Sequence, residues 1–255
     1  MANDQKLILF SHIPKTAGWT LNHEFLRVLG DRAIVANGFI PLKSTLAGRT
    51  EEARQRIRYI GGHVTCDQYA EALSVSVGEH FLISLIRDPL RRAISYYLFI
   101  LRNDVPPMKR IRDPFVGKSF EYFVEHSAET QPELIVNAQC KYFCGEADAD
   151  KAMQAIDTHY ALVANSRRFP EFYNRVRQES GDILSPWSDD RSLNVTPPAQ
   201  SEAEVQMGRM PADLSTIAPP HVVRKVEEIA AADFELVEQF ENRYQGYYER
   251  GSRPA

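Results

Sequence analysis

The residues best suited to chemistry stand in three short groups. The first is Lys15-Thr16-Ala17-Gly18-Trp19-Thr20, in the short turn that follows the apolar run Leu7-Ile8-Leu9-Phe10 and leads into a helix. An ammonium, two hydroxyls and a glycine at a helix start make an anion site. The first N–H groups of a helix have no partner within it, and its dipole favours negative charge there. The second group is Arg87 with Ser95, eight residues further on. A guanidinium fork at a strand end and a hydroxyl two turns into the following helix can bracket one phosphate. The third is His63, within Gly61-Gly62-His63-Val64, an imidazole that titrates near neutrality and suits a general base. Its glycine neighbours are expected to admit a substrate closely.

These residues need elements to position them. Leu7–Phe10 is a strand covered on both faces, and Leu21, Phe25, Val28 and Leu29 recur at helical spacing until Gly30. Residues 31–49 hold the short apolar piece Ala33-Ile34-Val35 and then a loop with Gly38, Pro41 and Gly48. Thr50 caps a helix to about Arg58; Tyr59–Val64 is a strand ending in a turn; a helix covers about 69–77. His80–Ile86 is the clearest strand, and Asp88-Pro89 opens a helix that buries Leu90, Ile94, Tyr97 and Leu101. Residues 103–118, with Pro106, Pro107 and Pro114, read as a long loop. Helices follow near 119–127, 132–140 and 149–158, then a strand at Tyr160–Ala164 and a helix from Arg168 to about Glu179. Residues 181–220 lack periodicity, and two helices near 221–231 and 234–248 close the chain. The alternation predicts an α/β fold around a mainly parallel sheet, with ligands at the carboxyl ends of its strands.

Composition narrows the function classes. The chain has 255 residues, 44% of them hydrophobic and 25% charged, which suits one domain over 1–255 with the closing helices packed on its core. A net charge of −4 argues against a nucleic-acid partner. No stretch is apolar enough to span a membrane, and the polar start Met1–Lys6 leaves no room for a signal peptide. Cys66, Cys140 and Cys144 form no disulfide framework, so a cytoplasmic location is expected.

Lys15 precedes its turn, and the run G-x-x-x-x-G-K-[ST] of nucleotide triphosphatases is absent. His12-Ile13-Pro14-Lys15-Thr16-Ala17-Gly18 instead resembles the 5′-phosphosulfate loop of the sulfotransferase superfamily, P-K-T/S-G/A-x-[ST], in the form typical of its carbohydrate branch. Arg87-Asp88-Pro89-Leu90-Arg91-Arg92-Ala93-Ile94-Ser95-Tyr96-Tyr97 resembles the family's 3′-phosphate motif, R-[DN]-P-x-x-R-x-x-S-x-[YF]. The resemblance implies a P-loop-like three-layer αβα fold that uses 3′-phosphoadenosine-5′-phosphosulfate (PAPS) and releases 3′,5′-adenosine bisphosphate (PAP). Lys15, Thr16, Ala17, Gly18, Trp19 and Thr20 would cradle the 5′ side, and Arg87 and Ser95 the 3′-phosphate. Lys15 would also meet charge building on the bridging oxygen.

Gly-His-Val at 62–64 resembles the segment with the proposed catalytic His of uronyl and related 2-O-sulfotransferases. His63 is therefore the candidate base, with His12 and Glu24 as rivals. Gln139–Gly145, Tyr160–Ala164 and Arg191–Thr196 extend the resemblance, the last implying cofactor contacts from Asn194 and Thr196. The animal secretory enzymes begin with a membrane anchor and stem; this sequence shows neither and is similar to a soluble, bacterial-like form. The implied acceptor is a glycan, glycolipid or other hydroxylated small molecule. Lys43, Arg49, Arg102, Lys109, Arg110 and Arg112 would supply a basic rim for an acidic acceptor or form a solvated surface. Two other readings stay open, an ATP-dependent P-loop-like kinase and a non-catalytic nucleotide binder of the same fold.

Overall fold

The computed structural model describes residues 6–74, 77–188, 198–201, 204–205 and 207–251. The first half holds β1 (Ile8–Ser11), α1 (Gly18–Leu29), β2 (Ala33–Ala36), α2 (Phe39–Ala47), α3 (Glu51–Gln55), β3 (Tyr59–Gly62), α4 (Cys66–Leu73), β4 (Phe81–Ile86) and α5 (Pro89–Arg102). There follow α6 (Pro106–Arg112), α7 (Phe120–Thr130), α8 (Ala138–Cys144), α9 (Ala149–His159), β5 (Leu162–Asn165) and α10 (Phe169–Glu179). The chain closes with α11 (Pro220–Ile229), α12 (Ala231–Tyr244) and β6 (Tyr247–Glu249). Among the described residues, no helix is long and apolar enough to cross a membrane.

Local chemistry explains most boundaries. The Asp88 carboxylate accepts the Arg91 N–H at 2.7 Å and Pro89 takes the first position of α5, where a missing N–H costs nothing. Thr65 and Gln68 form a reciprocal capping box at α4, which therefore starts at Cys66, three residues ahead of the expected helix. Two expected loops contain helices. Pro41 is the third residue of α2, and Pro106 and Pro107 open α6. Proline in a first turn ends nothing, because the N–H groups there lack helical acceptors anyway. At the C-terminus α12 stops at Tyr244, and Gln245 and Gly246 at positive φ turn the chain into β6.

The sheet has six strands in the order β2-β3-β1-β4-β5-β6, parallel except for β6 against β5. Its central strands are buried throughout, compatible with helical layers on both faces. Ile8 and Phe10 point into one cluster with Leu21 and Phe25 of α1 and Phe172 and Val176 of α10, while Leu9, equally buried, alternates to the other face. From β1 the chain crosses to β2 on one side, and from β4 it crosses to β5 on the other. The order therefore reverses between β1 and β4, the kind of switch point at whose carboxyl edge α/β sheets bind ligands.

The contacts sort into two compact units. Residues 1–87, 139–193 and 236–255 contain the sheet; residues 88–138 and 194–235 form a helical unit. The helical unit has its own core, including Ile94, Tyr97, Leu98, Phe115, Phe123 and Val222. Arg92, 1% exposed, is part of that interior and not of a solvated helix surface. It donates to the Leu134 carbonyl at 3.0 Å and stands 3.9 Å from the buried Asp233 carboxylate.

The end of β3 is packed to its limit. A Cβ on Gly62 would lie 1.9 Å from the Ala36 carbonyl oxygen, at a φ of +145°. Gly62→Ala is expected to lower unfolding stability by about 3 kcal/mol or more in urea titration. Gly145→Ala, at φ +77° but in open space, should cost only about 1–2 kcal/mol.

Candidate functional site

The loop after β1 is held in a conformation that its residues do not favour. The His12 N–H continues the β ladder to the Gly62 carbonyl at 2.9 Å, after which the chain turns back into α1. Lys15 and Ala17 both adopt positive φ, 70° and 75°, at a cost of about 1–2 kcal/mol each for residues with a Cβ. Such strain persists where surroundings over-determine it, and it gathers at ligand clamps. Departures of this kind from the helical region arrange successive N–H groups into anion-holding concavities. Gly18 starts the helix because nothing larger fits. A Cβ there would lie 2.3 Å from His12 Cδ2 and 2.5 Å from Phe10 Cζ. Trp19 is 47% exposed and Thr20 is buried, both on the first turn of α1.

Thr16 braces the same loop from within. Its buried hydroxyl donates to the Ile13 carbonyl at 2.8 Å. That bond braces the loop between β1 and α1.

Arg87 lies one residue beyond β4, across the switch point from this loop. Its Nη1 donates to the Lys15 carbonyl at 3.0 Å. Gln139 of α8, fully buried, holds the Arg87 main chain in both directions. Its Oε1 accepts the Arg87 N–H at 2.8 Å and its Nε2 donates to the Arg87 carbonyl at 2.9 Å. Ser95 is buried on the second turn of α5, in the helical unit. Asn194 and Thr196 lie outside the described residues.

His63 and His12 are brought face to face, their ring centroids 4.8 Å apart. His63 Nδ1 donates to the His12 carbonyl at 2.7 Å, which places the ring proton on Nδ1 and leaves the Nε2 lone pair as the proton acceptor. The main chain around it is fixed as well. The His63 N–H bonds to the Ala36 carbonyl, and the Ser11 hydroxyl, at the end of β1, donates to the Val64 carbonyl at 2.8 Å. His12 is held in the opposite tautomer. The Tyr59 hydroxyl donates to Asn22 Oδ1 at 2.6 Å, so the Asn22 amide faces His12 Nδ1 at 3.2 Å as a donor. His12 must then accept at Nδ1 and carry its proton on Nε2.

Glycines 61 and 62 serve this network and do not open the site to a substrate, as the sequence had suggested. A Cβ on Gly61 would lie 2.1 Å from Asn22 Oδ1, and one on Gly62 would strike the Ala36 carbonyl. The third candidate base, Glu24, is paired with Arg27 at 2.9 Å. Lys43 and Arg112, named for a basic rim, are likewise engaged, with Glu71 at 3.0 Å and Asp104 at 2.7 Å.

Electrostatics separates the two imidazoles further. Burial, followed by the neighbouring His63 and Lys15 charges, holds the His12 pKa well below 6.5. Burial also lowers that of His63 from 6.5, while its bond to the His12 carbonyl opposes the shift. Ser11, Asn22, Tyr59 and Gln139 do their work here without having stood out as site residues. Asn22 left one signal, a polar residue in register with Phe25 and Leu29 on the buried stripe of α1.

A scan against protein-family models and a search of curated proteins both found no match to this chain.

Two measurements test this arrangement. Nitrogen NMR of the imidazoles should find His12 protonated on Nε2 and His63 on Nδ1, and Asn22→Asp should move the His12 proton to Nδ1 and raise its pKa. Stability should also follow the imidazoles. Both are held neutral on folding, so below 6.5 the unfolded chain binds more protons than the folded one. Urea stability should be full above 6.5 and fall as the pH drops from there through the lower folded values. His63→Gln should flatten part of that decline.

Proposed function

We propose that the chain is a sulfotransferase of P-loop-like three-layer αβα fold. It would move a sulfuryl group from PAPS to a hydroxyl of a carbohydrate or other hydroxylated acceptor, in a cytoplasmic setting. One observation carries the reading. The strained Lys15–Ala17 turn, the Arg87 guanidinium and the His63 imidazole converge on the carboxyl edge of β1, β3 and β4. The donor set fits a nucleotide with two anionic ends, since it joins a cationic loop at a helix start to a separate strand-end arginine. The order of motifs along the sequence, with Ser95 eight residues after Arg87, points to a 3′-phosphate and away from a triphosphate.

When bound, the donor supplies the sulfuryl group, whose bond to the acceptor oxygen forms as its bond to the phosphate oxygen breaks. The chain's own residues do the rest. Loop N–H groups after Lys15 and the Lys15 ammonium hold the phosphosulfate and offset the charge left on the departing oxygen. Arg87 holds the 3′-phosphate, and Ser95 stays as a proposed contact to it from the sequence motif. His63 takes the acceptor's hydroxyl proton at Nε2, its Nδ1–H remaining on the His12 carbonyl throughout. His12, neutral and protonated on the far nitrogen, packs against the base without competing for the proton. Asn194 and Thr196 stay as proposed cofactor contacts from the late loop.

Calorimetry with PAP tests the reading directly. The wild type should bind in the micromolar range, and Arg87→Ala should weaken binding by about thirty-fold or more, roughly 2 kcal/mol. Tighter binding of ATP than of PAP would return the chain to the kinase reading. With labelled donor and an acceptor screen, His63→Ala should cut turnover about 100-fold or more while leaving PAP affinity intact. Because the base must be neutral, the acid limb of kcat/KM should fall below 6.5. Binding without turnover of any acceptor would favour the non-catalytic alternative.

A further inference from the structure

From the bonds between Gln139 and Arg87 we infer that Gln139 is the positioning residue that sets how well this chain discriminates a 3′-phosphorylated nucleotide. The inference rests on the nucleotide reading above and deepens it. The last rung of the β4–β5 ladder pairs Ile86 with Asn165, and Arg87 is the next residue. There the Gln139 side-chain amide, fully buried, supplies one acceptor and one donor to the Arg87 backbone, at 2.8 and 2.9 Å. It extends the ladder by one rung, with a side chain in place of a strand.

That rung decides where the guanidinium starts. Arg87 is only half-buried, so its fork is aimed by its backbone and by its bond to the Lys15 carbonyl, 3.0 Å away. Gln139 therefore fixes one end of a short chain of bonds, and the Lys15 turn lies at the other. Few residue types fill this role. A buried Leu leaves the Arg87 N–H and carbonyl without these bonds. Glu keeps an acceptor for the N–H but turns a carboxylate oxygen toward the carbonyl. Asn is one methylene too short to reach the same atoms.

The test compares PAP with 5′-AMP, which lacks the 3′-phosphate, by calorimetry on the full chain. Gln139→Leu should lose about ten-fold or more in PAP affinity and leave 5′-AMP binding within about two-fold. Adding Arg87→Ala to Gln139→Leu should weaken PAP far less than Arg87→Ala does in the wild type, because the two residues act as one unit. Gln139→Glu should fall between wild type and Gln139→Leu; it also takes over if Gln139→Leu does not fold by circular dichroism. Unchanged PAP affinity, equal losses for both nucleotides, or additivity of the two substitutions would overturn the role given to Gln139. A wild type with no preference for PAP over 5′-AMP would instead overturn the nucleotide reading, and this inference with it.

Discussion

Everything in the candidate site hangs on the parallel pairing of β1 between β3 and β4. Residues 8–11 align with 59–62 on one side and 81–84 on the other. Three strands that run the same way must end on the same edge, so three segments distant in sequence deliver their next residues to one place. Side-chain hydroxyls tie the strands together near that edge. Ser11 holds Val64, Ser84 holds the Ser11 carbonyl at 2.8 Å, and Tyr69 of α4 holds the Phe10 carbonyl at 2.9 Å. These serines and this tyrosine sit in a buried sheet where an unpaired hydroxyl would cost about 1–3 kcal/mol, so the same bonds that satisfy them also fix the register.

The two imidazoles show how one fold gives chemically identical groups different tasks. Both are neutral and stacked on each other, yet the hydrogen bond on each Nδ1 runs in the opposite sense. The difference originates in a phenol, since Tyr59 is held protonated by burial and must donate. That decision passes through Asn22 to His12. The ring of Tyr59 is itself clamped by Phe25, centroid to centroid at 4.0 Å. A packing contact in the core of the sheet is thus two hydrogen bonds away from the protonation state of the site.

Much of this was legible beforehand, and what was not has physical reasons. The strands β1 and β4 and the helix after Asp88-Pro89 follow from apolar runs and capping chemistry, which are local. The helices α2 and α6 were hidden by Pro41, Pro106 and Pro107, residues that break helices except in the first turn, where these lie. The final strand β6 was hidden inside a helical pattern that Gln245 and Gly246 interrupt. In the site, Lys15, Arg87 and His63 announce themselves by type and position. The second tier does not. Gln139 is defined by two bonds to a residue fifty-two positions away, and no periodicity records such a pairing.

The interleaving of the two units bears on how the chain is made. The sheet takes strands from residues as far apart as 8–11 and 247–249, so it has no complete form until β6 has left the ribosome. Until then β5 presents an unpaired edge, and before residues 162–165 emerge the apolar strand β4 does so too. Long-range parallel pairing is slow to form, which lengthens that exposure. While the residues between Ile86 and Leu162 are being made, the apolar β4 keeps one edge open, and that interval is when a nascent chain of this kind most needs shielding.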